Sequence, residues 1–149
     1  MHIATKGSKI DISLEKKLEE FSKNLSVDLK EGDIIFLYGE MGVGKTTFVK
    51  YLINYLQLRF EEKITEVTSP TFNIMNEYNI KGLLIKHYDL YRLESANELR
   101  DLNLFDENDN AILIIEWPQI IKKEPNSVTK LYFEYENEYQ NRFIKIIDR

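Results

Sequence analysis

The stretch IIFLYGEMGVGKTTFVKYLINYL, residues 34–56, sets the architecture of the chain. It opens with aliphatic and aromatic residues, 34–38, and such a run is typical of a strand buried on both faces. Its last part, residues 48–56, repeats apolar side chains at three- and four-residue spacing, which predicts an amphipathic helix. Between them, residues 39–46 match the motif G-x-x-x-x-G-K-S/T at every fixed position. This order predicts a strand, a phosphate-binding loop and a helix in direct succession.

The residue types of this loop suit the binding of a nucleotide phosphate. Its glycines let the backbone N–H groups turn toward an anion, and the start of the helix adds partial positive charge. Lys45 is placed to reach the β- and γ-phosphates, and the Thr46 hydroxyl is placed to ligate Mg²⁺. The predicted nucleotide-binding residues are therefore Gly39, Glu40, Met41, Gly42, Val43, Gly44, Lys45, Thr46 and Thr47.

Length and composition restrict the class of protein. A chain of 149 residues can bury about 70% of its unfolded surface, so we expect one domain over residues 1–149. The sequence is 43% hydrophobic and 30% charged, has no apolar run long enough for a membrane span, and contains no cysteine. These features favour a cytoplasmic protein. The net charge of −5 argues against a broad nucleic-acid surface, so we expect a protein or small-molecule partner.

The remaining segments carry shorter patterns. Ser13 is predicted to cap a helix whose apolar side includes Leu14, and the capping box at residues 95–98 predicts a second short helix. The predicted strands are residues 2–5, 64–68, 72–78, 83–88, 111–115, 129–135 and 143–147. Two wholly apolar strands with a helix between them predict a P-loop NTPase-like three-layer α/β sandwich, with parallel central strands and antiparallel edge strands.

A phosphate-binding loop needs an acidic group at the tip of a neighbouring strand, because Mg²⁺ keeps water molecules that a carboxylate must hold. Glu116 ends the other wholly apolar strand, and we predict that it takes this role. Asp89 follows a predicted strand in a tyrosine-rich turn and is the second candidate. A capping aspartate would give the same pattern, so the sequence alone leaves both interpretations of Asp89 open.

Three further residues stand beside these candidates. Thr71 follows a proline and is a candidate switch hydroxyl that senses the γ-phosphate, although such hydroxyls are also common turn formers. His87 lies within a predicted strand, and we interpret it as structural rather than as a base. Two interpretations of Trp117 are open: its ring stacks on a ligand or a partner, or it belongs to the core.

Five blocks of the sequence resemble one family in their order and spacing: residues 39–47, 69–72, Tyr78, 87–93 and 115–118. That family is TsaE (YjeE), a group of small bacterial ATPases. The resemblance implies an ATPase that uses Mg²⁺ and ATP and is needed to make N6-threonylcarbamoyladenosine in tRNA. It also implies work with the proteins TsaB and TsaD, without strong direct tRNA binding and without a membrane. The family's functional positions fall on Lys45 for the phosphates, Thr46 and Glu116 for Mg²⁺, Asp89 for hydrolysis and Thr71 for the switch.

Three classes of function share this phosphate-binding loop. An ATP hydrolase that serves a protein complex is favoured. A small-molecule kinase usually closes an arginine-bearing lid over the phosphates, and the few arginines here do not cluster in sequence. A non-hydrolysing, nucleotide-gated binding module is the third class. We do not expect a GTPase, because neither Asp-x-x-Gly after a strand nor Asn-Lys-x-Asp occurs.

Overall fold

One mixed sheet of seven strands forms the centre of the molecule in the computed structural model, which describes residues 7–106 and 110–148. The strands are β1 (Lys9–Asp11), β2 (Ile34–Tyr38), β3 (Met75–Ile80), β4 (Leu83–Asp89), β5 (Ile112–Glu116), β6 (Thr129–Glu136) and β7 (Asn141–Asp148). The helices are α1 (Glu15–Asp28), α2 (Lys45–Arg59) and α3 (Ala96–Asp101), with a 3₁₀ turn at Pro118–Ile120. The strand predicted at residues 2–5 lies outside the described residues.

The strand order is β1-β7-β6-β2-β5-β4-β3. β2 runs parallel to both β5 and β6, and β4 runs parallel to β5. The β3–β4, β6–β7 and β1–β7 pairs are antiparallel. The structure therefore confirms parallel central strands and antiparallel edge strands. Because β2, β4 and β5 are parallel, their carboxyl ends meet at one edge of the sheet.

Apolar side chains cover the sheet on both faces. Alternate residues of β2 point to opposite faces of the sheet. Ile35 and Leu37 belong to the core under α1 and α2, whereas Phe36 belongs to the core on the other face. The second core is completed by loop residues such as Leu104 and Ile121, because α3 has no buried residue. None of the helices in the described ranges is long and apolar enough to cross a membrane.

Sequence patterns predict the structure correctly where the hydrogen-bonding partners are close in sequence. The capping box is confirmed, because the Ser95 hydroxyl accepts a hydrogen bond from the Glu98 backbone N–H at 3.2 Å. The β6–β7 hairpin is also confirmed. The β3–β4 hairpin forms, but β3 begins at Met75 rather than at residue 72, because the Ile74 N–H bonds to the Pro70 carbonyl at 2.6 Å in a turn.

Two predictions of local structure are wrong. Ser13 does not cap α1, because its hydroxyl instead accepts the backbone N–H of Arg142 at 3.0 Å, and Leu14 is 68% exposed. Residues 64–68 form no strand. Gln57 of α2 donates to the Thr65 hydroxyl at 2.8 Å and accepts the Thr65 backbone N–H at 3.2 Å. This N–H is therefore bonded to a helix side chain and not to a neighbouring strand.

Candidate functional site

The phosphate-binding loop leads from the end of β2 into the first turn of α2. The helix begins at Lys45, and its N-cap residue is Gly44, with a backbone φ of 121°. Glycine has no side chain, so no cap hydrogen bond satisfies the N–H groups of the first helical turn. These N–H groups and the positive end of the helix dipole together form a site suited to an anion.

Gly39 packs the start of the loop against β6. Its φ is +143°, and a Cβ atom built there would lie 2.7 Å from the carbonyl oxygen of Phe133. Neither the backbone conformation nor the space allows another residue without a shift of the strand. The glycine thus allows the start of the loop to lie close to the backbone of β6.

Lys45 lies inside the loop. Its ammonium group donates a hydrogen bond to the Gly39 carbonyl and stands 3.9 Å from the centroid of the Trp117 ring. Burial lowers the pKa of Lys45 from its ordinary value, and the charges of Glu116 and Asp89 act in the opposite direction. No ion pair joins Lys45 to a carboxylate within the described part of the chain, so its charge is available to an anionic ligand.

The two candidate carboxylates stand side by side at the carboxyl edge of the sheet. Asp89 and Glu116 end the parallel strands β4 and β5 and are direct register partners. Asp89 accepts hydrogen bonds from the Thr71 hydroxyl at 3.0 Å and from the Tyr91 N–H at 3.0 Å. Glu116 is bonded through Oε2 to Nε2 of the buried His87 at 2.6 Å. Both carboxylates are therefore buried, oriented and close to Lys45.

A cavity of about 340 Å³ joins these groups to solvent. Its lining includes most of the residues predicted for the site: Met41, Gly42, Gly44, Lys45, Thr46, Thr47, Thr71, Asp89 and Glu116. Three predicted loop residues do not line it. Val43 is fully buried in the core, Gly39 packs beneath the loop, and Glu40 is exposed beside the β6–β7 turn.

A larger cavity of about 720 Å³ lies elsewhere, between α3 and residues 120–123. Its lining is mainly apolar, with Arg100, Lys122 and Lys123 among its charged residues. It contains neither the phosphate-binding loop nor the carboxyl ends of β4 and β5. In open α/β sheets, ligands bind at the carboxyl ends of parallel strands, so the smaller cavity is the candidate functional site.

The sequence match agrees with this geometry. A family model described as threonylcarbamoyl adenosine biosynthesis protein TsaE matches residues 12–144. The chain belongs to the TsaE family. The match includes the loop, both carboxylates, Thr71, all of β6 and the first half of β7, and it confirms the resemblance seen in the sequence motifs.

Individual relatives of the TsaE family cover most of the chain. The tRNA threonylcarbamoyladenosine biosynthesis protein TsaE of Rickettsia conorii is 37% identical over 111 residues, which are 74% of this chain and 61% of that protein. The protein of the same name from Borreliella burgdorferi is 39% identical over 114 residues, 74% of this chain and 78% of that protein. The crystal structure of Bacillus subtilis YdiB superimposes with a TM-score of 0.70 at 24% identity, covering 98% of this chain and 87% of that chain. The likeness to YdiB shows that the fold is shared.

Arg142 is a site residue that sequence reasoning missed in this member of the TsaE family. It lies on β7, lines the cavity and donates from Nη1 to the Val43 carbonyl at 3.4 Å. No motif marks it, because it reaches the loop only through the pairing of β7 with β6 and of β6 with β2. Arg92, the arginine nearest in sequence to Asp89, instead lies 5.3 Å from the Phe72 ring centroid and does not line the cavity.

Trp117 lines the cavity and also packs against the edge of the second core. It follows Glu116 with a φ of 57°, a strained conformation for a bulky residue. Its half-buried ring packs against Tyr91 at a centroid distance of 4.8 Å and against the Lys45 ammonium. Of the two interpretations of Trp117, the structure favours one in which the ring contacts whatever occupies the cavity.

The donor set of the cavity fits Mg²⁺. The Thr46 hydroxyl and the Glu116 carboxylate line the same space, and both offer the oxygen donors that this ion prefers. The described residues contain no group of three or more acidic, histidine or cysteine side chains that could hold a metal alone. Mg²⁺ at a nucleotide site typically uses one or two protein oxygens together with phosphates and water, so the two donors suffice.

Proposed function

We propose that this chain binds ATP with Mg²⁺ in the cavity beside the phosphate-binding loop and hydrolyses it in the biosynthesis of N6-threonylcarbamoyladenosine in tRNA, together with TsaB and TsaD. The fold would then be a P-loop NTPase-like three-layer α/β sandwich. One observation carries the proposal: Lys45, Asp89 and Glu116 meet around one cavity at the uncapped start of α2. The names of the TsaE relatives support the tRNA-modification role.

Binding of the phosphates begins with the release of Lys45. Its ammonium group is now bonded to the Gly39 carbonyl, and in the complex it donates to the β- and γ-phosphates instead. The backbone N–H groups at the start of α2 would bind the β-phosphate without competition from a cap side chain. Arg142 adds a second positive charge at the rim of the same cavity.

We assign the ion and the attacking water to different carboxylates. Mg²⁺, when bound, neutralises charge on the β- and γ-phosphates. Thr46 would hold the ion through its hydroxyl, and Glu116 would hold it through a water molecule. Asp89 orients the attacking water, because it lies on the neighbouring strand and is itself oriented by the Thr71 hydroxyl and the Tyr91 N–H.

The partner dependence is supported by the position of residues 69–72. Thr71 bonds to Asp89 inside the site, whereas the next residue, Phe72, is 83% exposed and lies beside Arg92. A protein that docks on Phe72 and Arg92 therefore contacts the residue next to the Thr71–Asp89 hydrogen bond. Binding energies are coupled reciprocally, so the nucleotide should also change the affinity for that protein.

The experiment measures phosphate release from ATP by the chain alone and with purified TsaB and TsaD, in single-turnover and steady-state conditions. We expect slow release alone and a changed rate with the partners. Asp89→Asn is the inactive control. Phe72→Ala should reduce only the partner effect, and Tyr139→Ala, which changes an exposed aromatic residue in the β6–β7 turn, should not.

Three other results would contradict the proposal. Binding of ATP without phosphate release in any condition would support a nucleotide-gated binding module. Transfer of the γ-phosphate to an added metabolite would support a kinase. Equal affinity for TsaB and TsaD with ATP, with ADP and without nucleotide would remove the coupling between the cavity and the partner surface.

A further inference from the structure

The contact between His87 and Glu116 is the most buried polar interaction at the candidate site. His87 Nε2 lies 2.6 Å from Glu116 Oε2, and the two side chains are 0% and 4% exposed. Both point to the sheet face covered by α2, because Ile85 and Ile114, which precede them by two residues, belong to that core. The imidazole therefore lies directly behind the carboxylate that faces the cavity.

The contact determines which atoms can act elsewhere. An ionised carboxylate accepts hydrogen bonds and donates none, so with Glu116 ionised Nε2 is the nitrogen that donates in this contact. Nδ1 is buried and has no hydrogen-bond partner among the described residues. The bond to Glu116 is thus the one polar interaction that the described residues show for this ring. Packing alone would not need an imidazole, because an apolar side chain in its place would remove the unpaired buried nitrogen.

Joining the two strands does not require this histidine. β4 and β5 are already connected by a parallel ladder from the Ile85–Ile112 pair to the Asp89–Glu116 pair. What the ladder does not control is the rotation of the Glu116 carboxylate, which lies within the field of the Lys45 charge. Without a donor on Oε2, that carboxylate is free to turn toward Lys45 and form an ion pair with it.

We propose that His87 is a positioning residue, which holds Oε2 of Glu116 so that the other carboxylate oxygen faces the ion's water and Lys45 stays free for the phosphates. This inference rests on the proposed function, because it assigns a task to a residue behind the proposed Mg²⁺ ligand sphere. Removing a donor that orients a ligating side chain typically changes metal affinity by about 10- to 100-fold, and because Glu116 would reach the ion through water we expect a change at the lower end of this range.

The test compares His87→Leu, which removes the donor, with His87→Gln, which offers an amide N–H at a similar distance from the backbone. Mn²⁺ serves as the spectroscopic substitute for Mg²⁺. Its binding is measured by electron paramagnetic resonance in the presence of ADP, without any turnover. ATP affinity is measured in parallel in EDTA and in Mg²⁺. Ile85→Val, on the same face of β4, is the control for a change in packing.

We expect His87→Leu to weaken Mn²⁺ binding by about tenfold or more, while its ATP affinity in EDTA stays within about threefold of wild type. His87→Gln should restore most of the Mn²⁺ affinity, and Ile85→Val should behave as wild type. If His87→Leu does not fold, His87→Asn replaces it, because the shorter amide does not reach Oε2.

The inference is wrong if folded variants bind Mn²⁺ as wild type does, or if His87→Gln is no better than His87→Leu. It is also wrong if ATP affinity falls equally with and without Mg²⁺, since that result indicates a packing role alone. A wild-type protein that binds neither ATP nor Mn²⁺–ADP would instead overturn the proposed function.

Discussion

Replacing Lys45 with methionine should affect stability and nucleotide binding differently. Burying the charge of Lys45 costs stability, whereas the same charge attracts the phosphates of the proposed ligand. Lys45→Met keeps most of the side-chain length. It loses the hydrogen bond to Gly39 and the contact with the Trp117 ring. It also removes the cost of burying a charge, which lowers the pKa of Lys45 in the folded state. The contributions oppose each other, so the free energy of unfolding at pH 7 should change by less than about 2 kcal/mol.

The sign of the charge term can be checked by pH. The folded state binds the Lys45 proton less tightly than the unfolded state, whose pKa is near 10.5. Burial of the charge therefore costs stability below the lowered folded-state pKa, and that cost disappears as pH rises through it. Urea denaturation should show that wild type gains stability relative to Lys45→Met as the pH rises from neutral toward the unfolded-state pKa near 10.5.

Nucleotide binding, unlike stability, should change in one direction only. Loss of a hydrogen bond between charged groups costs about 1.5–3 kcal/mol, which is about 10- to 150-fold in Kd for ATP. Isothermal titration calorimetry measures this change directly. Lys50→Met is the matched control, since Lys50 is an exposed lysine of the same helix. A folded Lys45→Met protein with wild-type ATP affinity would refute the assignment of the loop.

Four further substitutions test other parts of the site. Glu116→Gln should raise the Mg²⁺ concentration needed for half-maximal ATP hydrolysis, whereas Asp89→Asn should mainly lower kcat; the opposite pattern would exchange their roles. Gly39→Ala should destabilise the protein by about 1–3 kcal/mol in thermal or urea unfolding, because its Cβ would meet the Phe133 carbonyl at 2.7 Å. Arg142→Ala should weaken ATP binding in calorimetry by a few-fold to about tenfold if its charge faces the phosphates, and unchanged affinity would place the guanidinium outside the complex.

The parts of the site that sequence reasoning found are those encoded by contiguous residues. The glycines of the loop, the start of α2 and the apolar run of β5 each depend on neighbours in the chain, and all three lie where the patterns predict them. Asp89 and Glu116 also meet at the candidate cavity, as expected of two residues that each end a strand, because parallel strands bring their ends together.

The parts that sequence reasoning missed depend on side chains from distant segments. Arg142 reaches the cavity only because β6 pairs with β2, a register that no local pattern specifies. Ser13 looked like a helix cap, but its hydroxyl bonds to the β7 backbone instead. Residues 64–68 alternate like a strand, yet Gln57 satisfies the polar groups of Thr65. Local patterns cannot show which distant donor will compete for a given group.

The position of β6 between β2 and β7 also affects how the chain folds during synthesis. β2 and the phosphate-binding loop leave the ribosome before both neighbours of β2, and the edge that pairs with β6 stays open longest, until residues 129–136 emerge. Gly39 likewise lacks the Phe133 carbonyl that limits its position. The nascent chain therefore carries a complete loop sequence without the loop's final shape, and an open hydrophobic strand edge that can pair wrongly. The nucleotide binding that we propose would then come late in the life of the polypeptide, after the β6–β7 hairpin has docked.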